Sequence, residues 1–272
     1  MKKKIRTLLL LIVILSAAAI FILVVLGYWA FHSEQTSFPN RLWQYLFWKV
    51  PLIERMFLIN PGVRKSLGFV YFGDDKYDFL TNVFYKKILV EIDHSTDLDV
   101  SPTVTSAIKE TIFSLNPAKE VEVVISDEIN GAKAVDEINL EIQKDFFAKY
   151  RSFYSRGKTK ALHLVLLSKE SPFKIASAGA TRGSDTIIAT VEKDLYPDLR
   201  DLRINLIFAH ELGHLVGLRH LGQAGCVMQP ILFQDYGENY HYCQDELDRV
   251  RKIQNPPLIR LAPYPGLYYS SE

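Results

Sequence analysis

The sequence predicts a mixed α/β fold, in which helices pack against a mixed sheet. From about residue 86 onward, short apolar segments alternate with longer segments whose apolar residues recur every three to four positions. The resulting order of strand, helix, strand, helix, strand is typical of a sheet with helices against it. Apolar residues make up 48% of the 272 residues, which suits one substantial domain, or at most two small ones, with a buried core.

Each predicted element rests on its own pattern. Strands are predicted over 87–92, 121–125 and 161–167, followed by short extended segments that end near 181 and run over 185–191. Helices are predicted over 103–115, 134–150, 198–217 and 244–253. Ser101 and Pro102 favour the start of the first helix, because serine caps free N–H groups and proline suits a first turn. Leu199, Leu202 and Leu206 are predicted to share one face of the third helix.

The N-terminal segment differs from the rest of the chain. Four basic residues within positions 1–6 precede an uncharged run that ends at Ser33. That run exceeds the roughly 20 residues that a helix needs to cross a bilayer, and it predicts a transmembrane signal anchor over 7–31. A cleaved secretory signal is the alternative, because Ala17 to Ala19 resemble a cleavage site, although they lie in the middle of the run.

The basic cluster also predicts on which side of a membrane each part lies. Residues 1–6 form a basic tail that stays in the cytoplasm, and everything after the span lies outside it. The aromatic-rich segment 32–85 then lies beside the membrane, either on its surface or packed on the main domain. The main domain is predicted over 86–256, followed by a tail over 257–272.

Charge and cysteine content limit the partners. The chain has 32 basic and 31 acidic residues, and this balance gives no electrostatic reason to expect a nucleic-acid partner. Cys226 and Cys243 are the two cysteines, and both lie in the part predicted to be exported. A disulfide is permitted there but not required.

The stretch HELGHLVGLRH, from His210 to His220, carries the chemistry. His210 and His214 are four residues apart on a predicted helix, so both imidazoles project from one face. That spacing suits two ligands of one tetrahedral zinc ion. Glu211 can reach the open position of the metal without binding it, which predicts a general base for hydrolysis.

The third histidine, His220, can reach the same ion only if the helix ends before it. In a continuous helix, a rise of about 1.5 Å per residue would carry His220 roughly 15 Å away from His210. Gly217 permits a reversal, because glycine adopts the left-handed helix-ending conformation without steric penalty. The alternative is a helix that contains histidines at ligand positions by coincidence. No role is assigned to the remaining four histidines: His32, His94, His163 and His241.

With these residues, the chain resembles the metzincin zinc metallopeptidases. That family shares the spacing of two histidines, a glutamate, a glycine and a third histidine, and it has a methionine turn beneath the zinc, which Met228 fits. Met228-x-Pro230, eight residues past His220, resembles the matrixins, whereas Cys226 resembles the archaemetzincins. The resemblance covers about residues 86–256 and implies a metzincin-like catalytic domain, with a small C-terminal subdomain after the zinc helix.

The resemblance implies roles for residues outside the motif. Metzincins pair an extended peptide with an edge strand above the cleft, and Ala178, Gly179 and Ala180 occupy that place. An edge without a ligand is the alternative. Archaemetzincins hold a second zinc with further cysteines that this chain lacks, so the resemblance favours a disulfide between Cys226 and Cys243. The cysteine-based latency of matrixins is absent, because no cysteine precedes Cys226.

Together these features predict a membrane-anchored zinc endopeptidase, single-pass in the cell membrane, that cleaves peptide or protein substrates outside the cytoplasm with one catalytic zinc ion. A non-catalytic binding module on a metzincin scaffold at the cell surface is the second hypothesis. The presence of Glu211 argues against it, since a structural zinc site does not need that carboxylate. A different hydrolytic reaction at the same zinc is the third.

Overall fold

The computed structural model describes ten parts of the chain. These are residues 2–31, 42, 46, 49–67, 75–129, 149–168, 179–182, 185–220, 225–229 and 241–255. The chain divides into two compact units. The first contains residues 1–57, 62–69 and 256–272, and the second contains residues 58–61 and 70–255.

Three named helices lie among the described residues before residue 68. They are α1 (Lys2–Phe31), α2 (Pro51–Leu58) and α3 (Pro61–Leu67). Within the parts of the chain that the structure describes, no helix combines the length and the apolar character required to cross a membrane. The transmembrane span predicted over 7–31 is therefore not supported.

A five-stranded sheet organises the second unit and confirms the predicted mixed α/β fold. Its strands are β1 (Lys87–Ser95), β2 (Glu120–Ile129), β3 (Thr159–Ser168), β4 (Gly179–Arg182) and β5 (Thr186–Val191). The strand order is β2-β1-β3-β5-β4. Strands β2, β1, β3 and β5 run parallel to one another. Strand β4 pairs antiparallel with β5 at the end of the described sheet.

Four further helices lie in the described parts of this unit. They are α4 (Lys76–Leu80), α5 (Pro102–Leu115), α6 (Pro197–Leu215) and α7 (Gln244–Gln254). The Ser101 hydroxyl accepts the N–H of Val104 at 3.3 Å, so α5 begins where the serine was predicted to cap it. The helix predicted over 134–150 falls largely outside the described residues, and the tail over 257–272 falls wholly outside them.

The main core lies between one face of the sheet and helices α5 and α6. Alternate side chains of β1 and β3 point to this face, because successive residues of a strand project in opposite directions. The fully buried members on these two strands are Ile88, Val90, Ile92, Leu162, Leu164 and Leu166. Helix α5 adds Val104, Ile108 and Ile112 at helical spacing. This core holds α6, which carries the candidate site, against the sheet.

Helix α6 is buried over most of its length. It carries Leu199, Leu202 and Leu206 at the predicted helical spacing, and Leu199 is 51% exposed whereas Leu206 is 3% exposed. The buried face of the first turns is instead formed by Asp201, Ile204 and Asn205. The Ser101 hydroxyl donates to the Asp201 carboxylate, and this hydrogen bond offsets part of the cost of burying a polar group at this position.

The second face of the sheet buries polar side chains. His163 on β3 is 1% exposed, and its Nε2 lies 2.6 Å from a carboxylate oxygen of Asp93 on β1. Glu91 on β1 accepts the N–H groups of Ser152 and Phe153 at 2.6 and 3.0 Å. His163 is thus a buried histidine that is hydrogen-bonded to Asp93, and it does not belong to the HELGHLVGLRH motif.

Candidate metal centre

The C-terminal end of α6 fixes the relative positions of the motif residues. The N–H of Leu218 donates to the carbonyl of Gly213 at 2.9 Å, and the N–H of Gly217 donates to that of His214 at 2.8 Å. This pair of bonds is the Schellman arrangement, which requires a left-handed residue directly after the helix. Gly217 has a φ of +87° and satisfies that requirement. The helix therefore ends before His220, as the sequence analysis predicted for a third ligand of the same ion.

Backbone conformation, rather than lack of space, explains the glycine at this turn. A Cβ added to Gly217 would meet Lys76 Cδ at 3.4 Å, which is an ordinary van der Waals contact. A side chain there is disfavoured because L-residues rarely adopt a positive φ. The reversal that follows brings His220 back toward the end of α6.

Three imidazoles converge at this reversal. His220 Nε2 lies 3.1 Å from His210 Nε2 and 3.1 Å from His214 Nε2. The ring centroids of the three histidines are 4.7 to 5.1 Å apart. His210 is buried, His214 is half-buried and His220 is exposed, so the cluster opens to solvent on one side.

The hydrogen bonds of Nδ1 in His210 and His214 show that Nε2 of each ring is the unprotonated nitrogen. His210 Nδ1 lies 2.7 Å from the Val227 carbonyl, and His214 Nδ1 lies 3.1 Å from the Leu218 carbonyl. A carbonyl can only accept, so each Nδ1 carries the proton and each Nε2 directs a lone pair inward. Lone pairs at such distances repel unless a cation lies between them.

The electrostatics of the site favour neutral, metal-ligating imidazoles. Burial lowers the pKa of His210, despite its hydrogen bond to the Val227 carbonyl. Burial, together with the neighbouring His210, lowers the pKa of His214 to about 4. Neutral imidazole is the form that binds zinc. Three ligands at about 2.0–2.1 Å in tetrahedral geometry place their nitrogens about 3.3 Å apart, which fits the observed spacing.

Glu211 lies beside the cluster and against the edge strand. It directly follows His210 on α6 and is 6% exposed. A Cβ added to Gly179 on β4 would lie 2.8 Å from Glu211 Oε1 and 3.1 Å from its Cγ. The backbone of β4 therefore packs directly on this side chain. Of the predicted substrate-binding residues, Gly179 and Ala180 lie in this edge strand, whereas Ala178 lies outside the described residues.

Met228 packs beneath α6 in the interior. It is fully buried, and a Cβ added to Gly213 would overlap its Sδ and lie 3.3 Å from its Cε. Tyr242 packs against the same glycine, and its hydroxyl donates to the Ala209 carbonyl at 2.5 Å. Burial raises the pKa of Tyr242, and the nearby Glu246 raises it further. Tyr242 thus holds the helix as a neutral phenol.

The segment carrying Met228 is tied to the start of α7. Cys226 and Cys243 form a disulfide with a Cα–Cα distance of 5.2 Å, within the usual range. Glu246 is fully buried, and it accepts the N–H of Met228 at 2.7 Å and that of Cys243 at 2.8 Å. Burial raises the pKa of Glu246, although these backbone N–H groups act against that rise.

This second group offers no metal site of its own in the oxidised protein. Cys226, Cys243 and Glu246 place potential ligand atoms within 4.8 Å of one another. Both sulfurs are committed to the disulfide, so neither is a thiolate that could bind a metal.

Sequence reasoning missed Glu246 and Tyr242. The acidic residue three positions after Cys243, at the start of a helix, was a usable signal, because that position commonly bonds back to the backbone before the helix. No local pattern identified Tyr242, whose partner Ala209 lies 33 residues earlier in the sequence.

Comparison with known proteins gives one match in sequence. No family model matches the chain. Over 68 residues, or 24% of this chain, it is 37% identical to matrilysin from Mus musculus. The match covers 26% of matrilysin, so this chain spans about a quarter of the length of that relative.

Two solved structures show a distant likeness. Archaemetzincin from Methanopyrus kandleri gives a TM-score of 0.40 at 14% identity, covering 65% of this chain and 99% of the other. A zinc-dependent peptidase from Methanocorpusculum labreanum gives a TM-score of 0.36 at 16% identity, covering 61% of this chain and all of the other. Scores this low carry no conclusion about function.

The packing of Met228 on Gly213 leads to a stability prediction. Glycine to alanine inside an exposed helix stabilises it by about 1 kcal/mol. In Gly213→Ala we expect the opposite, a loss of about 1–3 kcal/mol in the free energy of unfolding, because the new methyl group overlaps Met228. Urea unfolding of the full chain measures this change. The loss should disappear when Gly213→Ala is made in a Met228→Ala background, and a Gly213→Ala protein as stable as wild type would contradict the packing.

Proposed function

We propose that this protein is a zinc-dependent peptidase whose metal is held by His210, His214 and His220. The observation that carries the proposal is the convergence of three Nε2 atoms at the end of α6, two of them with their Nδ1 protons committed to backbone carbonyls. A three-histidine zinc site keeps a fourth position for water or substrate, which is typical of catalytic rather than structural zinc. The sequence similarity to matrilysin is consistent with this class.

Glu211 would act as the general base and then as the general acid. Bound zinc would supply a Lewis acid that polarises the scissile carbonyl and lowers the pKa of water to near 7. The Glu211 carboxylate then accepts the proton of the attacking water and passes it to the leaving amine. Burial beside His210 and the contact with β4 hold that carboxylate in one place, so it does not need to reorient during the reaction.

Strand β4 would align a peptide substrate. It is the last strand of the described sheet and runs antiparallel to β5. An extended peptide that pairs with its outer edge adds a strand and places its backbone beside Gly179, which contacts Glu211. A site that binds an extended chain on both sides of the scissile bond would be an endopeptidase, and we propose that specificity for this protein.

A second proposal concerns the compartment. Disulfides persist in oxidising environments outside the cytoplasm, and the Cys226–Cys243 bond ties the segment that carries Val227 and Met228 to the start of α7. We therefore propose that the catalytic part works outside the cytoplasm. Alkylation of both cysteines in protein isolated without reductant would rule this out.

Glu211→Gln tests the catalytic role while preserving size. We expect one zinc per chain in both proteins, but peptide cleavage reduced by about 10²–10⁴-fold in the variant, since an amide cannot take a proton from water. Cleavage is measured as cut sites in a diverse peptide pool, and zinc is measured by elemental analysis. Glu110→Gln on the exposed surface of α5 is the matched control and should retain full activity.

Three other outcomes would point elsewhere. Zinc bound by the wild type without cleavage of any peptide would support the non-catalytic binding module. Hydrolysis of non-peptide esters or amides alone would support a different reaction at the same zinc. If the native protein binds no zinc, the peptidase, the zinc-bound binding module and the other hydrolytic reaction are all refuted.

Gly179→Ala tests the contact between β4 and the general base. The added methyl group would press on Glu211 and on Ile207, so we expect zinc binding to persist while kcat falls by about tenfold or more. Ser106→Ala on the exposed surface of α5 is the control and should leave kcat unchanged. Unchanged kcat in Gly179→Ala would show that this close approach does not position the base.

A further inference from the structure

One peptide group links the first histidine of the cluster to a buried carboxylate on another helix. The carbonyl of Val227 accepts the Nδ1 proton of His210 at 2.7 Å. The N–H of Met228 belongs to the same peptide group, and it donates to Glu246 Oε1 at 2.7 Å. The two ends of a single amide are therefore engaged by the imidazole and by the carboxylate.

Glu246 is held firmly in this position. It is 0% exposed, and its second oxygen accepts the N–H of Cys243 at 2.8 Å. Each oxygen thus accepts a backbone N–H, and these hydrogen bonds favour the ionised carboxylate against the effect of burial, which raises the pKa of Glu246.

An amide engaged in this way is polarised along its length. A carboxylate on the N–H end shifts electron density toward the carbonyl oxygen, and hydrogen bonds in such a chain strengthen one another by about 10–30%. A stronger acceptor on Nδ1–H makes the opposite nitrogen of the ring more basic and fixes the plane of the ring. Groups in this relation to a metal-ligating histidine commonly alter metal affinity by about 10–100-fold.

We propose that Glu246 is a positioning residue for the metal centre, acting on His210 through the Val227–Met228 peptide group. The inference rests on the proposed function, because it assumes that His210 is a zinc ligand. It assigns a function to the first turn of α7: this turn supplies the charge that orients a ligand on α6. His214 donates to the Leu218 carbonyl instead, so its ring lies outside this bridge.

The two Nδ1–H protons report on the bridge without any mutation. In the zinc-loaded full chain, with histidine labelled with nitrogen-15, we expect the His210 Nδ1 proton to resonate downfield of the His214 Nδ1 proton. The shorter and charge-linked hydrogen bond of His210 deshields its proton more. Dipolar contacts to Val227 and Leu218 distinguish the two signals. A His210 signal at or upfield of that of His214 would overturn the inference.

Glu246→Gln then removes the charge but keeps the size. We expect zinc affinity, measured by chelator competition, to fall by about tenfold, and the His210 signal to move upfield while the His214 signal stays in place. Asp245→Asn, an exposed change of the same charge one residue earlier, should alter none of these readouts. Glu246→Asp retains a carboxylate and should recover much of the zinc affinity.

The outcomes separate this inference from the proposed function. If the wild type binds no zinc and cleaves no peptide, the proposed function fails. If the wild type does both, the inference is overturned by equal losses in Glu246→Asp and Glu246→Gln, since packing rather than charge would then matter. Equal shifts of both histidine signals in Glu246→Gln would overturn it as well. If Glu246→Gln does not fold, the wild-type signals and the Glu246→Asp affinity still decide the question.

Discussion

The candidate metal centre depends on one backbone conformation, the left-handed residue at the end of α6. Two histidines on a helix can be placed by spacing alone, but the third must return to them after the helix has ended. Gly217 supplies that reversal with a φ of +87°, and the two hydrogen bonds around it close the end of the helix. Since space for a side chain exists there, the requirement is conformational. Without this turn, His220 would lie too far along the chain to meet its partners.

A second set of contacts supports the C-terminal half of α6. Tyr242 bonds the Ala209 carbonyl, Met228 packs on Gly213, and Glu246 holds the segment on which Met228 lies. The disulfide between Cys226 and Cys243 joins that segment to α7. The residues before and within α7 therefore do more than close the fold: they fix the floor beneath the imidazoles. The core between α6 and the sheet fixes the other side and brings Glu211 against β4.

Much of this arrangement could be predicted from the sequence because it is local. The period of apolar residues gave the strands and most helices of the second unit within a few residues, and the serine at 101 marked the start of α5. The histidine spacing and the glycine after it specified a turn that depends on neighbouring residues alone. The burial of Asp201 on α6 was not predicted, because its partner Ser101 lies 100 residues earlier in the sequence.

Glu246 and Tyr242 were missed for the same reason, because their partners are also distant in the sequence. Glu246 and Tyr242 are polar groups whose burial is compensated by backbone atoms far away in the chain, and no period or spacing records such a partner.

Zinc K-edge X-ray absorption of the full chain tests the central claim most directly, because it counts the imidazoles around the ion. The account predicts three imidazole nitrogens at about 2.0–2.1 Å with one or two oxygen ligands, and two imidazoles in His220→Ala. A wild-type shell with fewer than three imidazoles, a shell containing sulfur, or an unchanged shell in His220→Ala would contradict it.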